Sequence, residues 1–86
     1  MVTESPGVTS YDTELLDRAG TLRTDAELME KYARRLRATA ATLGDCPAAP
    51  EWSLTTLEQQ AAACTTAAEQ LRTAAEALHA HARAAG

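Results

Sequence analysis

Two cysteines, two histidines, a short basic run and a single tryptophan are the side chains here that could support chemistry or recognition. Cys46 and Cys64 are too few for a disulfide framework and lack the spacing of metal ligands. They can stand as two free thiols, one in a loop and one on a helix, or pair as a single disulfide. If the helices flanking the loop end level, Cys64 lies about 15 Å along the second helix, at about 1.5 Å per residue. Bridged Cα atoms sit only about 4.4–6.8 Å apart. A bridge therefore requires the second helix to overhang the first, with residues 47–53 extended. Pro47 and Pro50 favour that extension. A bridge would also imply an oxidising destination.

His79 and His81 are two residues apart, so a helix points them to different faces and they cannot chelate one metal ion together. Lys31, Arg34, Arg35 and Arg37 make a basic run (KYARRLR) that could touch phosphates. Glu27 and Glu30, however, lie one turn before Lys31 and Arg34, at helical ion-pair spacing. A solvated, self-paired face is the expectation. Trp52 precedes the second helix; it is expected to cover the open end of a hairpin, or else to stand exposed as an anchor for a partner. No nucleophile–base pairing, carboxylate pair or glycine-rich phosphate loop is visible. The expectation is a protein that is not an enzyme, with no catalytic, cofactor-binding or metal-binding residues and no cofactor.

The elements that position these residues are legible in the spacing of Leu and Ala. Leu15, Ala19, Leu22, Ala26, Met29, Ala33, Leu36, Ala40 and Leu43 alternate by four and three. This is a heptad repeat with Ala at each a position and a large apolar residue at each d. After a break the repeat resumes with Leu54, Leu57, Ala61, Cys64, Ala68, Leu71, Ala75, Leu78, Ala82 and Ala85. The spacing predicts a flexible tail over residues 1–10, a first helix over about 11–44, a loop over 45–53 and a second helix over about 54–85. Ser10 is the expected N-cap of the first helix and Gly44 its C-cap signal. Ser53 or Thr55 is expected to cap the second, Thr55 with Glu58 having capping-box spacing. Gly20 and the Thr24–Glu27 capping-box pattern could break the first helix, but the heptad phase runs through both, which favours continuity.

Two helices of similar length with a short connection make an antiparallel hairpin. The expected class is all-α: a two-helix hairpin over residues 11–86 that dimerises into a four-helix bundle. Leu15, Leu22, Met29, Leu36, Leu43, Leu54, Leu57, Leu71 and Leu78 are the expected seam, so Leu71→Asp should unfold it. Ala63, Ala67, Ala74 and Ala77 lie off the seam on a sparsely charged surface of the second helix. With Trp52, they are the candidate partner interface.

Size and charge agree with a binding module. The chain has 86 residues, no Phe, one Trp, two Tyr and a net charge of −4. Alanine favours helix but buries little area, so the core is thin and invites completion by a partner. An acidic chain is a poor nucleic-acid binder. No apolar run reaches membrane-spanning length, and residues 1–10 lack the basic and apolar regions of a signal peptide.

Two Ala-rich helices with Trp52 near the turn resemble the WxG-type ESX family of small type VII secretion substrates and their actinobacterial excreted relatives. The likeness spans residues 11–85 and is mostly architectural. It implies a helical hairpin that pairs with itself or a related hairpin, beside a larger secreted effector, and leaves the cell without a cleaved signal peptide. Two features depart from the family pattern. The turn reads Trp52-Ser53-Leu54, without the family's glycine. The family's Tyr and acidic export motif beyond the second helix is also absent after Leu78. These departures imply export that depends on a partner, or a cytoplasmic adaptor or assembly hairpin with no export role.

Overall fold

The computed structural model describes the backbone of residues 6–85 and the side chains of residues 11–84. Two helices, α1 (Pro6–Gly44) and α2 (Glu51–Ala85), pack against each other as an antiparallel hairpin. The molecule is a rod measuring 71 × 19 × 12 Å.

Both helices begin earlier than their spacing suggested. α1 already includes Ser10, which is therefore not its N-cap; Pro6 instead stands at the first helical position, where its missing N–H costs nothing. Residues 1–5 of the expected tail lie outside the described residues. α1 continues through Gly20, whose Cα faces open space. It ends without a left-handed glycine, since no described glycine has a positive φ. Its last turn tightens instead: Asp45 N–H donates to the Thr42 carbonyl (3.2 Å) and Cys46 N–H to that of Leu43 (3.0 Å). These i→i−3 bonds use carbonyls that a helix end leaves orphaned.

The connection is shorter than expected because the prolines build a turn and a cap, not an extended climb. Ala49 N–H donates to the Cys46 carbonyl (3.1 Å), closing a β-turn with Pro47 at its second position. With no positive φ among the described residues, it is a turn of the type I class. Pro50 then caps α2: its carbonyl accepts both the Ser53 N–H (3.0 Å) and the Ser53 hydroxyl (2.6 Å). Ser53 and Thr55 are therefore inside the helix.

Among the described residues, the buried core is alanine alone. Ala19, Ala26, Ala33 and Ala40 of α1, and Ala61, Ala68, Ala75 and Ala82 of α2, are the buried apolar residues among those described. Every expected seam leucine, and Met29, is only half-buried. The heptad thus splits: a rows form the contact line, and d rows run beside it. Small side chains on that line allow close approach of the backbones, the distance between packed helix axes being set by the side chains at the contact. Each buried methyl contributes about 0.8 kcal/mol, against about 1.5–3 for a fully buried leucine. The hairpin therefore leaves much of its potential apolar stabilisation unrealised.

Candidate interaction face

Two cross-helix contacts set the register. Arg72 donates to a Glu30 carboxylate oxygen at 2.6 Å, and Arg37 to the Thr65 hydroxyl oxygen at 3.0 Å. Seven residues forward in α1 correspond to seven backward in α2, as antiparallel helices in phase require. The same register sets Ala19 level with Ala82, Ala26 with Ala75, Ala33 with Ala68 and Ala40 with Ala61. It also leaves the beginning of α1 projecting past the end of α2, where Tyr11 is exposed.

Antiparallel pairing sorts the remaining positions by side. Turning one helix over onto the other keeps equivalent heptad positions on the same face. The e rows lie together on one side of the alanine line, and both contacts above join e positions. Glu30, Ala33, Arg34, Arg37 and Thr65 line a shallow groove there. The Arg72 hydrogen bond holds the Glu30 carboxyl below its ordinary 4.5, and Glu30 in turn raises Arg72. Both side chains remain substantially exposed. Glu30, at helical spacing from Arg34, thus pairs across the hairpin. The remaining ion pair among the described residues is Arg18–Glu14, at 3.1 Å.

The d rows lie together on the opposite side. Tyr32, Arg35, Leu36 and Thr39 of α1 line a shallow apolar groove with Cys64 of α2. By the register, Leu22 comes level with Leu78, Met29 with Leu71, and Leu43 with Leu57. Outside the d rows are the g and c positions. On α1 these include Leu28 (43% exposed) and Tyr32 (44%). On α2 they are Ala63, Ala67, Ala74 and Ala77, of which Ala67 is half-buried and the others exposed. The residues expected as a hairpin seam and those expected as a separate interface therefore adjoin, forming one half-exposed apolar face.

Trp52 does not join that face. α2 starts at Glu51, so Trp52 is in helical phase with Gln59, Thr66 and Thr73, on the surface turned away from α1. It is 69% exposed and covers nothing. The expected lid is therefore not formed, because early helix initiation rotates the indole outward.

The cysteines are both free: Cys46 is exposed in the connection and Cys64 is half-buried on the apolar face. The candidate disulfide is not formed. α2 rises from Glu51, placing Cys64 about 20 Å along the helix at about 1.5 Å per residue. Residues 47–50 are folded into the turn and cap and cannot span that distance. His79 is half-buried and His81 exposed, at different heptad positions. Among the described residues, no group of three or more His, Cys, Asp or Glu is placed to hold a metal ion. No described helix is long and apolar enough to cross a membrane.

This arrangement presents a broad apolar face on one side, an ion-paired polar face on the other and an indole at the loop end. The off-seam alanines Ala63, Ala67, Ala74 and Ala77 were individually legible from their spacing; that the d rows adjoin them was not. Comparison with protein-family models, curated proteins and solved structures finds no match to this chain.

Proposed function

We propose that this chain is a non-enzymatic protein-interaction hairpin that packs its apolar face onto another helical hairpin, completing a four-helix bundle. Its biological setting in this reading is type VII secretion, as a small substrate or as the carrier of a larger effector. The observation that carries the interaction is the half-exposed d row of both helices beside an all-alanine contact line. A second hairpin covering that row would bury leucines that the single hairpin leaves wet. The secretion setting rests on the resemblance in architecture and on Trp52 at the loop end.

The test is export. Expressed in a host with type VII machinery, the intact chain should accumulate in the medium with its N-terminus uncleaved, and should stop doing so when the machinery is deleted. Retention inside the cell in both strains would overturn the secretion setting. It would favour the second reading, an adaptor or assembly hairpin that stays in the cytoplasm. Two observations support that alternative: the free thiols of Cys46 and Cys64, which suit a reducing compartment, and Ser53-Leu54 after Trp52 where the family has its glycine.

A further inference from the structure

The side away from the apolar face carries cations that the hairpin itself does not neutralise. Helical spacing pairs Glu27 and Glu30 with Lys31 and Arg34. Glu30 instead crosses to Arg72, and among the described residues Lys31, Arg34, Arg35 and Arg37 form no ion pair. Arg34 and Arg37 line the groove between the e rows together with Thr65. Arg37 also borders the next stretch of that groove, about 410 Å³ in volume, which runs past Ala41 and Leu54 to Glu58. We propose that this groove binds a small phosphate monoester with a flat apolar ring. The phosphate is held by Arg34, Arg37 and Thr65, and the ring lies over Ala41 and Leu54.

Three observations support it. First, the donors share one groove and retain hydrogen-bonding capacity. Arg37 gives an N–H to the Thr65 oxygen at 3.0 Å. A guanidinium has several more such donors, in a fixed fork that suits phosphate oxygens. The Thr65 hydroxyl accepts that bond, so its own proton remains to donate. The hydroxyls of Thr21 and Thr42 give theirs to the carbonyl four residues back; among the described residues the Thr65 hydroxyl makes no such bond.

Second, the nearby acids select the ligand without blocking the site. Glu30 is engaged by Arg72. Glu58 stands at the loop end of the groove, where its charge repels a second phosphate. With the chain's net charge of −4, this restricts the ligand to one phosphate and disfavours nucleic acid. Third, the groove has room for a ring and an apolar surface to take it. Ligand sites span about 300–1,000 Å³, and the stretch beyond Arg37 is bordered by alanine and half-buried Leu54. The Glu30–Arg72 bridge marks one end of the groove and Glu58 the other, which suits a compact molecule. The site lies opposite the face proposed above to pack on another hairpin, and neither depends on the other.

The probe is phenyl phosphate, titrated into the intact, isotope-labelled chain at neutral pH, where the phosphate is largely dianionic. Amide and arginine Nε–H resonances are followed by nuclear magnetic resonance. Saturable shifts are expected at Arg34, Arg37, Thr65, Ala41 and Leu54, with a Kd of about 1 mM for a groove this open to solvent, while Arg18 and Arg83 stay unmoved. Inorganic phosphate should bind more weakly and leave Ala41 and Leu54 unshifted. Arg34→Gln and Arg37→Gln should each weaken phenyl phosphate about tenfold or more, the scale of a charge-assisted hydrogen bond. Arg83→Gln removes the same charge from an exposed position away from the groove and should change nothing. Thr65→Val keeps the side-chain volume and removes the hydroxyl, so weaker binding there reads that contact without a change of charge. Circular dichroism verifies that each variant stays helical. Shifts spread over every arginine, or an equal loss in Arg83→Gln, would reduce the site to general charge attraction and overturn it. Equal affinity for inorganic phosphate and phenyl phosphate would sink the ring assignment. No shift at about 10 mM probe would end the proposal.

Discussion

Ala26 of α1 and Ala75 of α2 stand level across the hairpin, and both are fully excluded from solvent (0% exposed). Met29 and Leu78, each three residues further along its own helix, remain half-exposed. The closest approach of the two backbones is thus made by the smallest side chains. The large ones are displaced to one side.

It follows that the alanine line tolerates no added bulk. Ala75→Leu should destabilise the hairpin by about 1–3 kcal/mol, the usual cost of overpacking, because Ala26 opposite leaves no room. Thermal unfolding followed by circular dichroism checks this. A melting temperature equal to that of the parent would mean that the helices do not meet at these residues.

Leu71→Asp should behave differently from what a seam position implies. Leu71 is half-buried at the edge of the apolar face, so its aspartate can reach water. The helical signal should survive, with a loss of about 1–2 kcal/mol, near the central tendency for point substitutions. Association of hairpins should be abolished. Light scattering together with circular dichroism separates the two effects. Complete unfolding would restore Leu71 to the seam.

Gly20→Ala should stabilise the hairpin by about 1 kcal/mol, the helix-propensity difference. The added methyl meets nothing within 4 Å, so no packing cost offsets the gain. A melting temperature that falls would show that α1 is interrupted near Gly20.

Glu30→Gln should lower stability at neutral pH but not in acid. The Glu30 carboxyl is held below its ordinary 4.5 by the hydrogen bond from Arg72. A carboxylate with a depressed folded pKa contributes stability that is fully present above the unfolded value and lost as pH falls through the folded one. Parent and variant should therefore differ at pH 7 and converge below the lowered value. The difference should also shrink at high salt, since the pair is exposed and screened. Equal melting temperatures at pH 7 and low salt would mean that the ion pair contributes nothing.

Much of this protein is written in its spacing. A strict four–three alternation of Ala with Leu over both halves allows helices and little else, because only a helix brings residues three and four apart onto one stripe. The proline-bearing connection around Pro47 and Pro50 then enforces an antiparallel return. Fold class and the candidate status of Ala63, Ala67, Ala74 and Ala77 follow from that pattern.

Tertiary structure alone decided which half of the heptad lies at the centre. A stripe three or four residues wide does not say whether Ala or Leu faces the partner helix. Close approach settles it: with alanine on the contact line the backbones draw together, and antiparallel symmetry then puts both leucine rows on the same side. The helix starts were equally invisible. Ser10, Ser53 and Thr55 all have the chemistry of caps, yet Pro6 opens α1 and Pro50 caps α2. That shift turned Trp52 away from α1 and placed Cys64 beyond the reach of Cys46. Local signals name candidates for each end; the geometry of the turn between two packed helices selects among them.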